Sequence, residues 1–164
     1  MEPIIRLAAD QDKQSVFDIL NYYIVNSLAA YPQSPLPIQA WEGMKSMCRD
    51  NNLWVAELPG QGVVGFAMLK WYLGRDSFAH SAEVGYFIAP EHTGKGLGAL
   101  LLKTLEKTAL DLGITTLTAN ISSLNPQSLA FHERMGFTQC GQIPGVGIKH
   151  DQVFDIIWVY KHLL

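Results

Sequence analysis

Three glycines within five residues mark the stretch of this sequence best suited to bind a ligand. They are Gly94, Gly96 and Gly98, and they lie between a predicted strand and a predicted helix. Glycines so closely spaced cost backbone entropy, which is a reason to expect that a ligand approaches the main chain there. Exposed amides at a helix N-terminus, with the positive end of the helix dipole behind them, form an anion site. The stretch therefore predicts a phosphate site, to which Lys95 would add a positive charge; an ordinary capped turn is the alternative.

Two phosphate-binding motifs compete for these residues. A Walker A loop requires a glycine five positions before the Gly-Lys pair and Ser or Thr after the lysine, but Ala89 and Gly96 occupy those positions. The dinucleotide pattern G-x-G-x-x-G/A does fit Gly94, Gly96 and Ala99. Its glycines should lie in the first β-α turn, however, whereas three predicted strands precede them here. A dinucleotide site is therefore the weaker alternative.

The helix after the glycines is predicted from an apolar stripe over residues 97–112, with Gly113 at the position after the helix end where glycine is favoured. The stripe consists of Leu97, Leu100, Leu101, Leu105, Ala109 and Leu112. The strand before the glycines is predicted over residues 81–89. These two elements would position the glycine loop.

Apolar patterning divides the rest of the chain into further elements. The predicted strands, in chain order, are residues 4–8, 53–58, 63–72, 81–89, 115–119, 137–142 and 153–160. The predicted helices are one that follows an N-cap at Asp10 and runs to about residue 30, a short one with Trp41, Met44 and Cys48, and those at 97–112 and 126–135. This order predicts an α/β (α+β) fold, a mixed, mostly antiparallel central sheet of about seven strands flanked by helices on both faces.

Composition limits the classes of function. The 164 residues are 48% hydrophobic and 16% charged, which is typical of one globular domain over residues 1–164. A net charge of -3 argues against nonspecific nucleic-acid binding. Cys48 and Cys140 form no C-x-x-C pair, so we expect no metal site. With no signal-peptide pattern and no run of apolar residues long enough to cross a bilayer, we expect a cytoplasmic protein without membrane contact.

Two motifs in this sequence resemble signatures of the GNAT acetyltransferases. Their coenzyme loop, Q/R-x-x-G-x-G/A after the fourth strand, is matched at Gly96 and Gly98, and the sequence departs from it at Thr93. A second signature, N-x-x-S/A-x-x-x-Y/H-x-x-x-G-F, is met by Asn125, Ser128, His132, Gly136 and Phe137. The resemblance covers nearly the whole chain. It implies the GNAT fold and acetyl-CoA as co-substrate.

Within that superfamily the sequence is most similar to the branch of phosphinothricin and methionine-sulfoximine acetyltransferases. Residues 82–88 resemble its V-E-H-S-V-Y-V strand, residues 130–137 its A-x-H-E-R-x-G-F segment and residues 147–149 its G-x-K segment. The resemblance implies N-acetylation of a small amine, an amino acid or an amino-acid analogue. Val84 and Gly85 replace the His-Ser pair that faces substrate in the branch, so we expect a different choice of acceptor.

Acetylation of an amine requires a base, because an ammonium group has no lone pair for attack. Glu83 is the lone acid in an otherwise apolar strand, and the resemblance implies that it takes the proton through an ordered water. A carboxylate satisfied by a neighbouring donor is the alternative. His132 stands where most of the superfamily has tyrosine, so it is either the acid for the leaving thiolate or only a coenzyme contact. A main-chain amide at Phe87 or Ile88 would polarise the thioester carbonyl.

Residues of both binding sites follow from these motifs. The predicted coenzyme contacts are Tyr86, Phe87, Ile88, Thr93, Gly94, Lys95, Gly96, Leu97, Gly98, Ala99, Asn125, Ser128 and His132. The predicted acceptor contacts are Arg75, Glu83, Val84, Gly85 and Lys149. Of these, Arg75 and Lys149 would bind an acceptor carboxylate, and a solvated loop arginine is an equal alternative for Arg75. Asn125 is also expected to cap the helix that it precedes. Aromatic candidates for a small apolar pocket are Tyr31, Trp41 and Trp71.

Alternatives from other classes remain open at the level of the sequence. One is a noncatalytic coenzyme-binding module in which Thr93 and His132 mark a degenerate site, although the retained Glu83 argues against it. Another is an acetyltransferase that acts on a protein N-terminus or lysine, and the weakest is a dinucleotide-binding oxidoreductase. The branch that the sequence resembles is often dimeric, which implies a homodimer.

Overall fold

Within residues 2–164, which a computed structural model of the protein describes, the backbone forms seven strands and four helices. The strands are β1 (Ile4–Leu7), β2 (Cys48–Leu58), β3 (Gly62–Trp71), β4 (Ser81–Ile88), β5 (Thr116–Ser122), β6 (Thr138–Lys149) and β7 (Gln152–His162). The helices are α1 (Lys13–Asn26), α2 (Trp41–Met47), α3 (Leu97–Asp111) and α4 (Pro126–Arg134). Their order along the chain is the predicted one.

The strands form a single mixed sheet in the order β1-β2-β3-β4-β5-β7-β6. Neighbouring strands are antiparallel except for β4 and β5, which are parallel. Helix α3 makes the crossover that a parallel pair requires. The prediction of a mixed, mostly antiparallel sheet is confirmed.

Strands β4 and β5 pair over a short length and then separate. Their ladder ends where Glu83 lies opposite Thr118, although β4 continues to Ile88 and β5 to Ser122. The sheet therefore has an opening between the C-terminal halves of its two parallel strands. Glu83 lies at the closed end of this opening.

The helices cover both faces of the sheet, as predicted. Helices α1 and α2 enclose one buried cluster, and α3 and α4 pack on the cluster of the opposite face. In α3 the buried residues are Leu97, Leu101, Leu102, Leu105 and Ala109. Burial of each leucine contributes about 1.5–3 kcal/mol. The predicted stripe was wrong at Leu100 and Leu112, which are exposed, because the buried face follows i, i+4 and i+5 spacing and includes Leu102.

The first helix begins later and ends earlier than predicted. Asp10 opens a short 3-10 turn and accepts hydrogen bonds from Trp41 Nε1 and Lys45 Nζ, so it is not the N-cap of α1. The carboxylate of Asp12 instead accepts the amide of Ala9 at 2.7 Å. Helix α1 ends at Asn26, not near residue 30, because the next residue has extended backbone dihedrals.

Strands β5 and β7 extend two or three residues beyond their predicted ends, and strands β2 and β6 are about twice as long as predicted because irregular residues interrupt their patterns. Cys48 begins β2 rather than ending α2, and the left-handed residues Asp50 and Asn51 disturb the ladder to β3. Strand β6 continues to Lys149, although the Pro-Gly-Val-Gly segment within it looks like a turn. A register shift before Gly147 absorbs that segment, and a Cβ there would lie 2.2 Å from the ring of Phe154.

Candidate active site

A cavity of about 1400 Å³ occupies the opening between β4 and β5. Its lining includes side chains of α1 and α2 on one face of the sheet and of α4 on the other. The glycine loop before α3 and the start of that helix also line it. The cavity thus joins the predicted phosphate site to the predicted base and reaches both faces of the sheet.

The glycine loop has the backbone geometry of an anion site. Gly94 and Gly96 have positive φ angles of 73° and 83°, a region that residues with a side chain rarely adopt. Gly96 directly precedes α3, and in the part of the chain that the structure describes the amides of residues 94–99 donate to no protein acceptor. The hydroxyl of Thr93 donates to the Pro90 carbonyl. The side chain of Lys95 is exposed and does not line the cavity.

The free edge of β4 presents main-chain groups to the opening. The amide of Ala89 donates to the Val64 carbonyl of β3, which fixes the alternation of the ladder. The amides of Tyr86 and Ile88 consequently point into the opening, whereas that of Phe87 points to β3. Of the two amides predicted to polarise a carbonyl, only that of Ile88 is placed to do so. The Ile88 carbonyl accepts the hydroxyl of Tyr23 from α1.

Glu83 lies in the cavity lining with one of its two carboxylate oxygens bonded. Lys70 stands opposite it on β3, and Lys70 Nζ donates to Glu83 Oε1 at 3.0 Å. Asn120 of β5 donates to the same oxygen at 2.8 Å. Among the described residues, Oε2 has no hydrogen-bond partner. The side chain of Glu83 is 19% exposed, so this oxygen is available to a small ligand.

A tyrosine and a histidine meet on the opposite face of the sheet. His132 Nδ1 lies 2.7 Å from the Ser128 carbonyl, which can only accept, so Nδ1 carries a proton. Burial lowers the pKa of His132 and so favours the neutral ring, whose Nε2 accepts the hydroxyl of Tyr86. Burial also raises the pKa of the Tyr86 phenol. The two rings stack with centroids 5.5 Å apart.

The start of α4 fixes this histidine. The side chain of Asn125 accepts the amide of Ser128 at 3.3 Å, as expected of an N-cap. The Ser128 carbonyl then orients His132 one turn later. Both Asn125 and Ser128 line the cavity, so the second motif supplies cavity-lining residues and also holds the imidazole.

The structure does not bring Arg75 or Lys149 to the cavity. Arg75 lies in an exposed loop beside Trp71, at a separate smaller cavity. Lys149 is buried, and its ammonium donates to the carbonyls of Ser27 and Ala30 in the connection after α1. The same burial lowers the pKa of Lys149. Arg75 and Lys149 therefore both lie away from the cavity, and of the two only Lys149 is held by hydrogen bonds of its side chain within the described residues.

The face of the cavity under α1 and α2 is apolar. Its side chains include Phe17, Leu20, Met44, Met47 and Met68. Of the three predicted pocket aromatics, Tyr31 lines the cavity and stacks on Phe154, whereas Trp41 is buried in the core and Trp71 is half exposed over Arg49. Gly85 lines the cavity on this face beside Met68 and Lys70, whereas Val84, also in the lining, packs in the cluster of the opposite face. Their contact with an acceptor stays a prediction.

Sequence reasoning missed Lys70, Asn120 and Tyr23. Lys70 had a visible signal, because it is the only charged residue in the apolar run of residues 63–71. Its pairing with Glu83 depends on the register of β3 and β4, which alternation within one strand does not define. Tyr23 gave no separate signal, because it follows Ile19 and Leu20 at the spacing of a buried helix face. Asn120 directly follows the predicted strand of residues 115–119, although it lies within β5, and it gave no signal of its own.

Residues 2–164 contain no group of three or more His, Cys, Asp or Glu side chains arranged to hold a metal ion. Both cysteines are free thiols, Cys48 buried and Cys140 exposed. Within the same residues, no helix is long and apolar enough to cross a membrane.

Comparison with known proteins places the chain among the acetyltransferases. The family described as Acetyltransferase (GNAT) family matches residues 16–137, which is more than half of the chain. The L-amino acid N-acyltransferase MnaT of Escherichia coli (strain K12) is 30% identical over 97% of this chain and 93% of its own. The phosphinothricin N-acetyltransferase of Streptomyces viridochromogenes is 30% identical over 93% of this chain and 83% of its own.

Solved structures agree with this placement. A phosphinothricin acetyltransferase from Sinorhizobium meliloti in complex with acetyl-CoA has a TM-score of 0.92 and 26% identity over 99% of this chain and 89% of its own. The putative acetyltransferase yncA from Salmonella typhimurium with acetyl-CoA has a TM-score of 0.89 and 28% identity, and the match covers 100% of this chain and 95% of its own. The free loop amides and the cavity fit the same co-substrate. The chain therefore belongs to the GNAT family and is an acetyl-CoA-dependent acyltransferase.

Proposed function

We propose that the protein transfers the acetyl group of acetyl-CoA to the amine of a small molecule, an amino acid or an amino-acid analogue. The observation that carries the proposal is Glu83, whose Oε2 has no partner among the described residues in the lining of a cavity that reaches the coenzyme loop. The name of the relative MnaT, an L-amino acid N-acyltransferase, supports the class of acceptor. So does the methionine sulfoximine and methionine sulfone acetyltransferase of Pseudomonas aeruginosa, 28% identical to this chain.

Glu83 is the proposed general base. Its Oε1 is held by Lys70 and Asn120, which fixes the carboxylate and leaves Oε2 to accept a proton. The acceptor ammonium gives up that proton through one ordered water, and the lone pair of its nitrogen becomes available. When bound, acetyl-CoA supplies an activated acyl group whose thiolate leaves as the amide forms.

Tyr86 is the proposed donor of the proton that the leaving thiolate takes up. Because His132 Nδ1 is bonded to Ser128, the neutral ring has only an acceptor at Nε2, and the transferable proton lies on the Tyr86 hydroxyl. His132 would position the phenol by accepting its proton in a hydrogen bond, and the hydroxyl would turn that proton to the sulfur as the thiolate leaves. The second proton of the amine nitrogen, released as the amide forms, would restore the phenol. The stacked rings keep the two groups in contact.

The proposed coenzyme contacts are the main-chain groups along the cavity. The free amides of residues 94–99 would bind the pyrophosphate at the positive end of α3. The amides of Tyr86 and Ile88 would pair with the pantetheine arm in the place of a missing strand. With Thr93 in place of the family's Arg or Gln, backbone groups rather than a side chain would supply most of the affinity.

The test is thiol release from acetyl-CoA across the free amino acids, methionine sulfone, methionine sulfoximine and phosphinothricin, with calorimetry of acetyl-CoA binding in parallel. We expect turnover of one chemical group of acceptors well above the rate without acceptor. Coenzyme binding without turnover of any of them would contradict a small amino-acid acceptor and favour a protein amine or a noncatalytic module. Absence of coenzyme binding would contradict the whole proposal.

We further propose that two copies associate through the β6–β7 hairpin. Strand β6 is an edge of the sheet, and the exposed side chains of the hairpin include Ile143, Val146, Ile148 and Val153. An exposed apolar edge strand is a site for association. Light scattering should give twice the 18.2 kDa chain mass, and Val153→Asp should reduce it to that of a single chain. A wild-type mass of 18.2 kDa would contradict the proposal.

A further inference from the structure

An ion pair forms part of the acceptor side of the cavity. Lys70 and Glu83 are cross-strand partners on β3 and β4, and their side chains lie on the α1–α2 face. Both are about one-fifth exposed, with 21% for Lys70 and 19% for Glu83. Neither group is saturated: Lys70 Nζ makes one hydrogen bond within residues 2–164, and Glu83 Oε2 makes none. Each can therefore bind a further charged group without breaking the pair.

Gly85 leaves space beside the ammonium. A Cβ at this position would lie 3.6 Å from Lys70 Nζ and 3.5 Å from Met68 Cε. These are ordinary contact distances, so a side chain here would fit but would occupy space next to the charge. Its absence leaves that face of Lys70 open to a ligand.

The pair supplies the only charged side chains that the described lining has on the α1–α2 side. Of the Lys, Arg, Asp and Glu residues that line the cavity, the structure places only Lys70 and Glu83 on the α1–α2 side, and Arg134 lies on α4. The neighbouring wall contains three methionines, Met44, Met47 and Met68. Methionine side chains are flexible and adapt to unbranched apolar groups. A ligand that matches this surface has one cation and one anion close together and an apolar remainder.

We propose that Lys70 and Glu83 together bind the zwitterionic head of an α-amino acid that has an unbranched apolar side chain. Lys70 binds the carboxylate, and the ordered water on Glu83 Oε2 faces the ammonium whose proton Glu83 takes. An α-amino acid holds its two charges about as close together as the 3.0 Å that separates Lys70 Nζ from Glu83 Oε1. The assignment rests on the proposed function, and it gives Lys70 the role that the sequence suggested for Arg75 and Lys149.

The decisive experiment compares methionine with methioninamide, which has the same amine and side chain but no carboxylate. In the wild type, kcat/KM should favour methionine. Lys70→Met should lower kcat/KM for methionine about 30-fold more than for methioninamide, because both acceptors lose the lysine that holds Glu83 Oε1 and only methionine also loses a charge-assisted contact. Lys70→Arg should restore most of the preference. Lys103→Met, which removes an exposed lysine of α3, is the matched control and should change neither value.

Binding provides a readout that does not depend on turnover. Calorimetry with coenzyme A present should show methionine binding to the wild type and weaker binding to Lys70→Met. Gly85→Ala should also weaken methionine binding more than methioninamide binding, because the added methyl occupies space beside the Lys70 ammonium, and this variant keeps the ion pair if Lys70→Met fails to fold. An equal loss for both acceptors in Lys70→Met, or no wild-type preference for the carboxylate, would overturn the assignment while leaving N-acetylation intact. Loss of all turnover with binding retained would overturn only the proposed function.

Discussion

Glu83 accepts hydrogen bonds from Lys70 and Asn120 at Oε1, and its Oε2 has no partner among the described residues. A substitution of Glu83 therefore tests the proposed base separately from these two neighbours. We predict that Glu83→Gln lowers kcat by at least about 100-fold, because an amide cannot accept the proton of the ammonium. The dissociation constant for acetyl-CoA should change by less than about twofold, since no coenzyme contact is lost. Steady-state kinetics and calorimetry measure the two quantities. An unchanged kcat would exclude Glu83 as the base.

His132 should make stability depend on pH. Burial lowers the pKa of His132 below its usual 6.5, so between the two values the unfolded chain binds more protons than the folded one. The free energy of unfolding therefore falls as pH drops below 6.5, by up to about 1.4 kcal/mol per pH unit. His132→Gln should lose this part of the slope in urea titrations from pH 5 to 8, and His80→Gln, an exposed control, should retain it. If the free energy of unfolding depended on pH equally in both variants, His132 would not be the source of this pH dependence.

Single residues of the site could be predicted from their type and position in the sequence, but contacts between distant residues could not. Glu83 stood out as a single acid in an apolar strand, and Asn125 as an N-cap three residues before Ser128. The partnership of Tyr86 with His132 was not visible, because their contact spans 46 positions and two elements. Contacts that depend on how elements pack are not encoded in local spacing.

Among the elements, the loop into α3 offers the sharpest test. Gly96→Ala places a side chain at a φ of 83° and should lower the free energy of unfolding by about 1 kcal/mol. It should also weaken acetyl-CoA binding, because the free amides shift. The control is Gly43→Ala in α2, where no atom lies within 4 Å of the added methyl. There alanine should stabilise the helix by about 0.5–1 kcal/mol. A change in the free energy of unfolding in the same direction for both variants would contradict the prediction.

Lys149 ties the connection after α1 to the β6–β7 hairpin. We predict that Lys149→Met lowers the free energy of unfolding by about 2 kcal/mol, because the carbonyls of Ser27 and Ala30 lose their donor. The KM for the acceptor should rise as well, since Tyr31 in the same connection lines the cavity. Urea titration and initial rates measure the effects, with Lys103→Met as control. If Lys149→Met were as stable as the wild type, water would have replaced the lysine as the donor to the two carbonyls.

Elements with one uniform pattern were predictable and irregular ones were not. The helix at residues 97–112 has a continuous apolar face, so its bounds were close to those of α3. The predicted strand of residues 137–142 ended before β6 does, because Pro144 and its glycine neighbours resemble a turn. The opening between β4 and β5 was also invisible, since both strands read as ordinary apolar runs and only their pairing shows where they part.

For the molecule as a whole, the main feature is that the cavity reaches both faces of the sheet, with the proposed base on one side and the Tyr86–His132 pair on the other. The described lining contains no cysteine that could carry an acyl group. We therefore expect initial-rate plots against both substrates to intersect, as direct transfer in a ternary complex requires. Parallel lines would contradict this, because they indicate a covalent acyl-enzyme.

Access from two faces also bears on the order in which the substrates arrive. An acceptor that enters beneath α1 and α2 does not cross the loop at α3, so neither substrate needs to precede the other. An enzyme molecule that has bound either substrate first can therefore still bind the other and react. When acetyl-CoA is abundant and the acceptor scarce, most enzyme molecules would already carry acetyl-CoA, and the rate would follow the supply of acceptor alone.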